Sequence, residues 1–264
     1  MSEVSPQLVK DLREKTGAGM MDCKRALAEA NGDLEAAIDV LRKSGITKAE
    51  KKSGRSVKEG SIVSKVSPEA GALVEVLCET DFVAKNEKFK DYSLQIAEKV
   101  LALNVSGDVS EKINELEKQN IVSMIAAIGE NIQVRRAVRW IGKCSSYLHM
   151  GGRIGVMIQY EGEASQAELN DICMHIAAFN PTYICSEEIC PTLIDREKEI
   201  HIAQLVGKPA QMIEGILKGK LAKWYKEVCL NDQAWMRDDK VSVKQANPKI
   251  CVKKFVRWQV GEQA

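Results

Sequence analysis

Several things are scarce in this sequence, and each scarcity excludes something. Its 38 Lys and Arg are balanced by 37 Asp and Glu, leaving a formal net charge of +1, whereas nonspecific grip on a phosphate backbone needs many uncompensated cations. Aromatic residues make up only 5% of the 264, too few for a base-stacking surface. No apolar run approaches the roughly 18 residues needed to span a bilayer. The opening Met1 to Pro6 shows no basic stretch followed by an apolar one, so no secretory signal is expected and a cytoplasmic location is. The eight cysteines, at 23, 78, 144, 173, 185, 190, 229 and 251, include no Cys-x-x-Cys pair. Cys185 and Cys190 with His175 lack the tight paired spacing of a zinc site. Reduced, mostly buried thiols are expected instead.

Signatures of chemistry are missing as well. There is no Gly-x-x-x-x-Gly-Lys-Ser/Thr phosphate loop, no His-Glu-x-x-His, no Gly-x-Ser-x-Gly and no dinucleotide glycine fingerprint. His149, His175 and His201 stand in no context that marks a metal site or a nucleophile triad. The expectation is a protein that is not an enzyme, holds no metal and uses no cofactor. What is present, 45% hydrophobic and 28% charged residues, is the composition of an ordinary globular chain with room for about two domains and a buried core.

Three short helices open the chain. Ser5-Pro6 pairs an N-cap with proline at the first helical position, and Leu8, Val9 and Leu12 give that helix an apolar side. Thr16 to Gly19 breaks it. Met20, Cys23, Ala26, Leu27 and Ala30 mark a second helix ending at Asn31-Gly32, and Asp33 caps a third, with Leu34, Ala37, Ile38 and Leu41 inward and Gly45 just past its end. Met20 and Met21 are adjacent, so they cannot share one inward stripe, and at least one is expected at the surface beside Lys24 and Arg25. Ile46 to Glu59, rich in Lys and poor in apolar residues, reads as a solvated linker or an exposed helix tail, with a domain boundary near Lys52 to Arg55.

From Gly60 the period changes. Ser61–Val66 and Leu73–Cys78 read as a hairpin around Ser67 to Gly71, with Val74, Val76 and Cys78 alternating. Asn86 reads as the N-cap of a helix from Glu87 to Leu103. Between them, Thr80 to Lys85 is a strand-to-helix connection carrying Asp81-Phe82-Val83. Loop residues are normally exposed, and an exposed ring beside a carboxylate is suited to insertion into a partner. The plainer alternative folds Phe82 back into the core, with Asp81 capping a turn. Further on, Ile113, Leu116, Met124 and Ile128 suggest a helix from Ser110. Ile132–Trp140, Cys144–His149 and Ile154–Tyr160 read as strands, and Leu169–Phe179 as a helix. His175-Ile-Ala177 echoes Gln95-Ile-Ala97, a weak sign of two related sheet-and-helix subdomains. Helices over 195–206 and 209–228, separated by Gly207-Lys208-Pro209, form an expected hairpin with Leu205, Ile213, Ile216, Leu217 and Leu221 at its seam. A last strand runs from Lys249 to Val260.

These motifs carry a resemblance. Val9 to Leu27 with its Thr16-Gly-Ala-Gly-Met-Met21 centre, Asn31-Gly-Asp-Leu-Glu-Ala-Ala37, Thr80-Asp81-Phe82-Val83, Gly129-Glu-Asn-Ile-Gln-Val-Arg-Arg136, Tyr147 to Gly155, Gly207-Lys-Pro209 and Phe255 to Gly261 resemble the elongation factor Ts family over essentially the whole chain. The resemblance implies an α+β fold: a ubiquitin-associated-like three-helix domain over residues 1–54, then a core of two related antiparallel-sheet-plus-helix subdomains, 55–140 and 141–264, the second including the projecting hairpin 195–228. It implies a guanine-nucleotide exchange factor whose partner is elongation factor Tu, with no direct binding of nucleotide, nucleic acid or membrane. Phe82 would wedge into the partner, Asp81 would disturb its Mg²⁺ site, and Thr80 and Val83 would shape the loop. Met20, Met21 and Lys24 would dock a second face, and Ile128, Gly129 and His149 match family positions on the partner surface of the core. Two departures are visible: Ala234 stands where relatives often have proline, and the chain stops at Ala264 where many relatives continue into a further helix, whose contacts are then in doubt. The competing readings are a ubiquitin-associated-like module that binds another protein or a nascent chain without exchange, and an enzyme built on a cysteine such as Cys78.

Overall fold

The computed structural model describes residues 4–205 and 210–263, and the Gly207-Lys208-Pro209 break lies outside them. The architecture is α+β, with helices first and then antiparallel sheets carrying helices. Helices α1 (Pro6–Thr16), α2 (Met20–Glu29) and α3 (Leu34–Lys52) form the opening bundle. Ser5 caps α1 through the Leu8 N–H at 3.2 Å and Asp33 caps α3 through the Ala36 N–H at 2.8 Å. Leu12, Cys23, Ala26, Leu27 and Ala37 are its buried centre, with Leu34, Ile38 and Leu41 packed around them.

Helix α3 does not stop at Gly45. It continues to Lys52, so the first part of the charged stretch is a helix tail and not a linker, mostly exposed but with Gly45 and Ala49 buried. The reason is tertiary: Gly45 lies against Val122 and Ala126 of α6 (Ser110–Ile128). Glycine is a helix stop only where no packing rewards continuation.

A four-stranded sheet has the order β1 (Glu59–Val66), β2 (Ala70–Cys78), β4 (Ile132–Ile141), β3 (Gly107–Asp108). All nine residues of β2 are buried, so the alternation seen in Val74, Val76 and Cys78 does not mark a half-exposed strand. Glu75, on the opposite face, is fully buried and accepts from Arg136 Nε at 2.6 Å and the Gly261 N–H at 3.0 Å. Asn86 caps α5 (Glu87–Ala102), which buries Phe89, Tyr92, Ile96, Ala97 and Val100. In α6, Ile113 and Ile125 are buried, whereas Leu116, expected on the inward face, is 59% exposed.

A second sheet has the order β5 (Cys144–His149), β6 (Ile154–Gly162), β9 (Ile250–Gln259), and α7 (Gln166–Phe179) packs on β5 and β6. Helix α7 begins one turn earlier than expected because Ser165 and Glu168 close a capping box. Helices α8 (Pro191–Ala203) and α9 (Ala210–Val228) pack together, with Ile213, Ile216, Leu217 and Leu221 half-buried. A small two-stranded sheet of β7 (Ala234–Trp235) and β8 (Asp238–Ser242), followed by the single turn α10 (Val243–Ala246), was not legible in the sequence pattern. The chain divides into two compact units: residues 1–63 with 74–139 and 259–264, and residues 64–73 with 140–258.

Candidate functional site

Strand β2 delivers the chain to a tight corner. Glu79 and Thr80 leave the sheet, and Asp81–Ala84 form a single helical turn, α4, before Asn86 starts α5. Thr80 is the N-cap of this turn: its carbonyl accepts the Ala84 N–H at 3.2 Å and its hydroxyl oxygen accepts the Val83 N–H at a long 3.4 Å. Phe82 sits on this turn 82% exposed. A phenyl ring is normally withdrawn from water, so the reading in which Phe82 folds back into the core does not hold. Asp81 accepts from Lys85 Nζ at 2.7 Å, one turn on. That hydrogen bond with its ammonium charge holds the Asp81 carboxyl below the usual carboxylate range.

Beneath the turn, everything is fastened. One oxygen of Glu130 accepts the N–H groups of Glu79 and Thr80 at 3.1 and 3.0 Å, and the other accepts the Thr80 hydroxyl at 2.7 Å. Glu79 returns the contact by accepting the Asn131 N–H at 2.7 Å. Asn131, buried, donates its side-chain amide to the carbonyls of Ser53 and Arg55 at 3.3 and 3.0 Å. Cys78 donates its thiol to the Thr80 carbonyl at 3.2 Å. Burial, with the Glu130 charge second, pushes that thiol up to about 12, so Cys78 is not a thiolate nucleophile. Sequence reasoning missed Glu130 and Asn131 as supports, although both lie in the Gly129-Glu-Asn-Ile stretch it singled out.

On α2, Cys23, Ala26 and Leu27 take the inner face and both methionines point out, Met20 59% and Met21 67% exposed. Lys24 is exposed next to them. Asp22 ties this helix to α3 through Lys48 Nζ at 2.7 Å and also pairs with Arg25. Ile128, half-buried, ends α6, and Gly129 closes it in the left-handed region at φ 93°. The Gly129 carbonyl accepts Lys52 Nζ at 2.6 Å. The structure thus joins Ile128-Gly129 to Thr80 through Glu130.

His149 belongs to the other unit. It ends β5, exposed, with Nδ1 3.0 Å from the Tyr147 hydroxyl. Leu148 and Met150 beside it are also exposed, Met150 in the left-handed region at φ 50°. Both lie in the Tyr147 to Gly155 motif, but of that stretch only His149 was expected at the partner surface. The zinc alternative finds no support in His175, whose Nε2 lies 3.0 Å from Gln233 Oε1 in the core. Among the described residues no group of three or more His, Cys, Asp or Glu could hold a metal ion, and no helix is long and apolar enough to cross a membrane.

Comparison with known proteins gives this geometry a context. The family model described as elongation factor TS matches residues 79–262. The elongation factor Ts of Clostridium perfringens is 42% identical over 283 aligned positions, covering 98% of this chain and 93% of that protein. That of Halothermothrix orenii is 41% identical over 278, with the same coverage. That of Trichlorobacter lovleyi is 40% identical over 288, covering 96% and 91%.

Proposed function

The chain belongs to the elongation factor Ts family, and on that premise we propose that it is a guanine-nucleotide exchange factor acting in the cytoplasm on elongation factor Tu during translation elongation. It binds the GDP form of that GTPase, promotes GDP release by disturbing the Mg²⁺ and phosphate site, and leaves once GTP has rebound. No covalent bond is made or broken by this protein. The observation that carries the reading is Phe82, 82% exposed on a one-turn helix whose base is held by Glu130.

An exchange factor has to bind the nucleotide-free partner better than the GDP-bound one, since equal affinity for both shifts nothing. By reciprocity it then weakens nucleotide binding as much as nucleotide weakens its own. Phe82 enters an apolar pocket of the GTPase domain. Asp81, paired with Lys85, acts on the groups around Mg²⁺, while Thr80 and Val83 set the turn. Burying a phenyl ring supplies about 1.5–3 kcal/mol, whereas moving a two-state equilibrium ten-thousand-fold needs about 5.5 kcal/mol. The wedge therefore needs help, and the exposed Met20, Met21 and Lys24, with Ile128, Gly129 and His149, provide further contact.

The test is release of a fluorescent GDP analogue from elongation factor Tu, with excess unlabelled nucleotide as chase. Release accelerated by this protein in proportion to its concentration supports the reading. Unchanged release, with binding still detectable, returns it to a docking module without exchange activity.

A further inference from the structure

We propose that Glu130 is a positioning residue for Phe82: its carboxylate fixes the base of the α4 turn so that the ring is presented in one place. The inference rests on the exchange reading above and extends it to a side chain that acts through the Thr80 corner. A four-residue helix has no stability of its own, because helices below about 12 residues are marginal even in favourable sequences. The placement of α4 therefore depends on its two ends. Its C-terminal end runs through Lys85 into the Asn86 cap of α5, a 16-residue helix that buries Phe89 and Tyr92. At the other end, the Thr80 hydroxyl reaches the Val83 N–H at 3.4 Å, which is too long to anchor the turn alone.

Glu130 supplies the missing anchor. It takes both backbone N–H groups that follow β2, those of Glu79 and Thr80, and the Thr80 hydroxyl as well. Three donors on one carboxylate nearly fill its acceptor sites, and bonds to an ionised acceptor are stronger than neutral ones. The hydroxyl hydrogen is spent on Glu130, which aims the Thr80 lone pairs at Val83 and so sets the cap. Glu130 is fixed in turn, between Gly129, whose carbonyl is held by Lys52, and Asn131, whose N–H is held by Glu79 and whose amide is held by Ser53 and Arg55. With the base released, the ring, 82% exposed, would have to be ordered at the moment of docking. Ordering groups at an interface subtracts from binding energy, and here it subtracts from the state in which GDP is expelled.

Glu130→Ala is compared with Glu130→Gln and with Phe82→Ala, alone and combined, by the rate of GDP release at saturating factor and by the factor concentration for half-saturation. Gln keeps an acceptor for the two N–H groups and can donate to the Thr80 oxygen, so it should stay within about twofold of the parent rate. Ala should slow maximal release about tenfold. In a Phe82→Ala background, Glu130→Ala should add nothing further, because the ring it positions is gone. Should Glu130→Ala fail to fold, Thr80→Val removes the hydroxyl from the same clasp and carries the same comparison. Losses that multiply in the double variant, or a Glu130→Ala rate equal to the parent's while Phe82→Ala is slow, overturn the positioning role and leave the exchange reading standing. A Phe82→Ala protein with the parent rate overturns both.

Discussion

Gly45 of α3 faces Ala126 of α6 with room for one more carbon: a methyl placed on Gly45 would lie 3.6 Å from the Ala126 Cβ and 3.6 Å from a Val122 methyl. Those are ordinary van der Waals distances. Gly45→Ala should therefore stabilise the protein by about 0.5–1 kcal/mol, through helix propensity and lost unfolded-state freedom. A rise in melting temperature of about 1–4 °C is expected for that gain. A fall would mean that α3 and α6 pack more closely than this.

The same contact changes how the opening bundle is best tested. Deleting residues 1–52 removes Gly45, Ala49 and Lys52 from the unit that contains α6, so thermal stability should fall along with exchange. Met20→Ala and Met21→Ala avoid this. Both side chains are exposed, and surface changes normally stay within about 0.5 kcal/mol. Their melting temperatures should match the parent while the concentration for half-maximal exchange rises. Unchanged exchange in the double variant would take this face out of the docking surface.

Much of this fold can be read from the chain because the signals are local. Ser5, Asp33 and Asn86 cap helices within three residues of themselves, and the Cys144–His149 and Ile154–Tyr160 runs pair as β5 and β6. What misled was glycine at 45 and the charge of Lys48, Lys51 and Lys52, since the burial that keeps α3 helical comes from α6, more than 70 residues away in sequence. Leu116 misled in the opposite direction: its spacing suits an inward face, but Ile113, Glu117 and Ile125 occupy it. At the site, Thr80 to Val83 were conspicuous as a motif, whereas the exposure of Phe82 follows from a one-turn helix that no periodicity reveals. Glu130 was invisible as a support because it acts 50 residues away, across the fold.

Glu75 is the most consequential buried charge. Arg136 at 2.6 Å, Arg135 at 3.5 Å and the Gly261 N–H at 3.0 Å all converge on its carboxylate, and Arg136 also holds Glu262 at 2.8 Å. Removing Glu75 takes the shared acceptor from two partly exposed arginines, of which Arg136 keeps Glu262, and lost hydrogen bonds to a charged group cost about 1.5–3 kcal/mol. Glu75→Ala should lower the urea midpoint accordingly. A loss below about 1 kcal/mol would show that the arginines turn to solvent freely.

His175 predicts a pH dependence. It is fully buried, 4.5 Å from Phe179 and 5.4 Å from Trp235 between ring centres, and burial holds its imidazole below the usual histidine range. The unfolded chain therefore takes up the proton more readily near the ordinary value of about 6.5, so stability should fall as pH drops from there toward the lowered folded value. His175→Phe should flatten that slope between pH 7 and 5. An equal slope in the variant would assign the dependence to other groups.

If Phe82 works by being exposed, Phe82→Ala separates exchange from folding when melting and GDP release are measured on the same preparation. The predicted result is a melting temperature within about 1–2 °C of the parent, since exposed positions contribute little to stability, together with fluorescent-GDP release from elongation factor Tu slowed at least tenfold at saturating factor. The contradicting result is release at the parent rate by the folded variant.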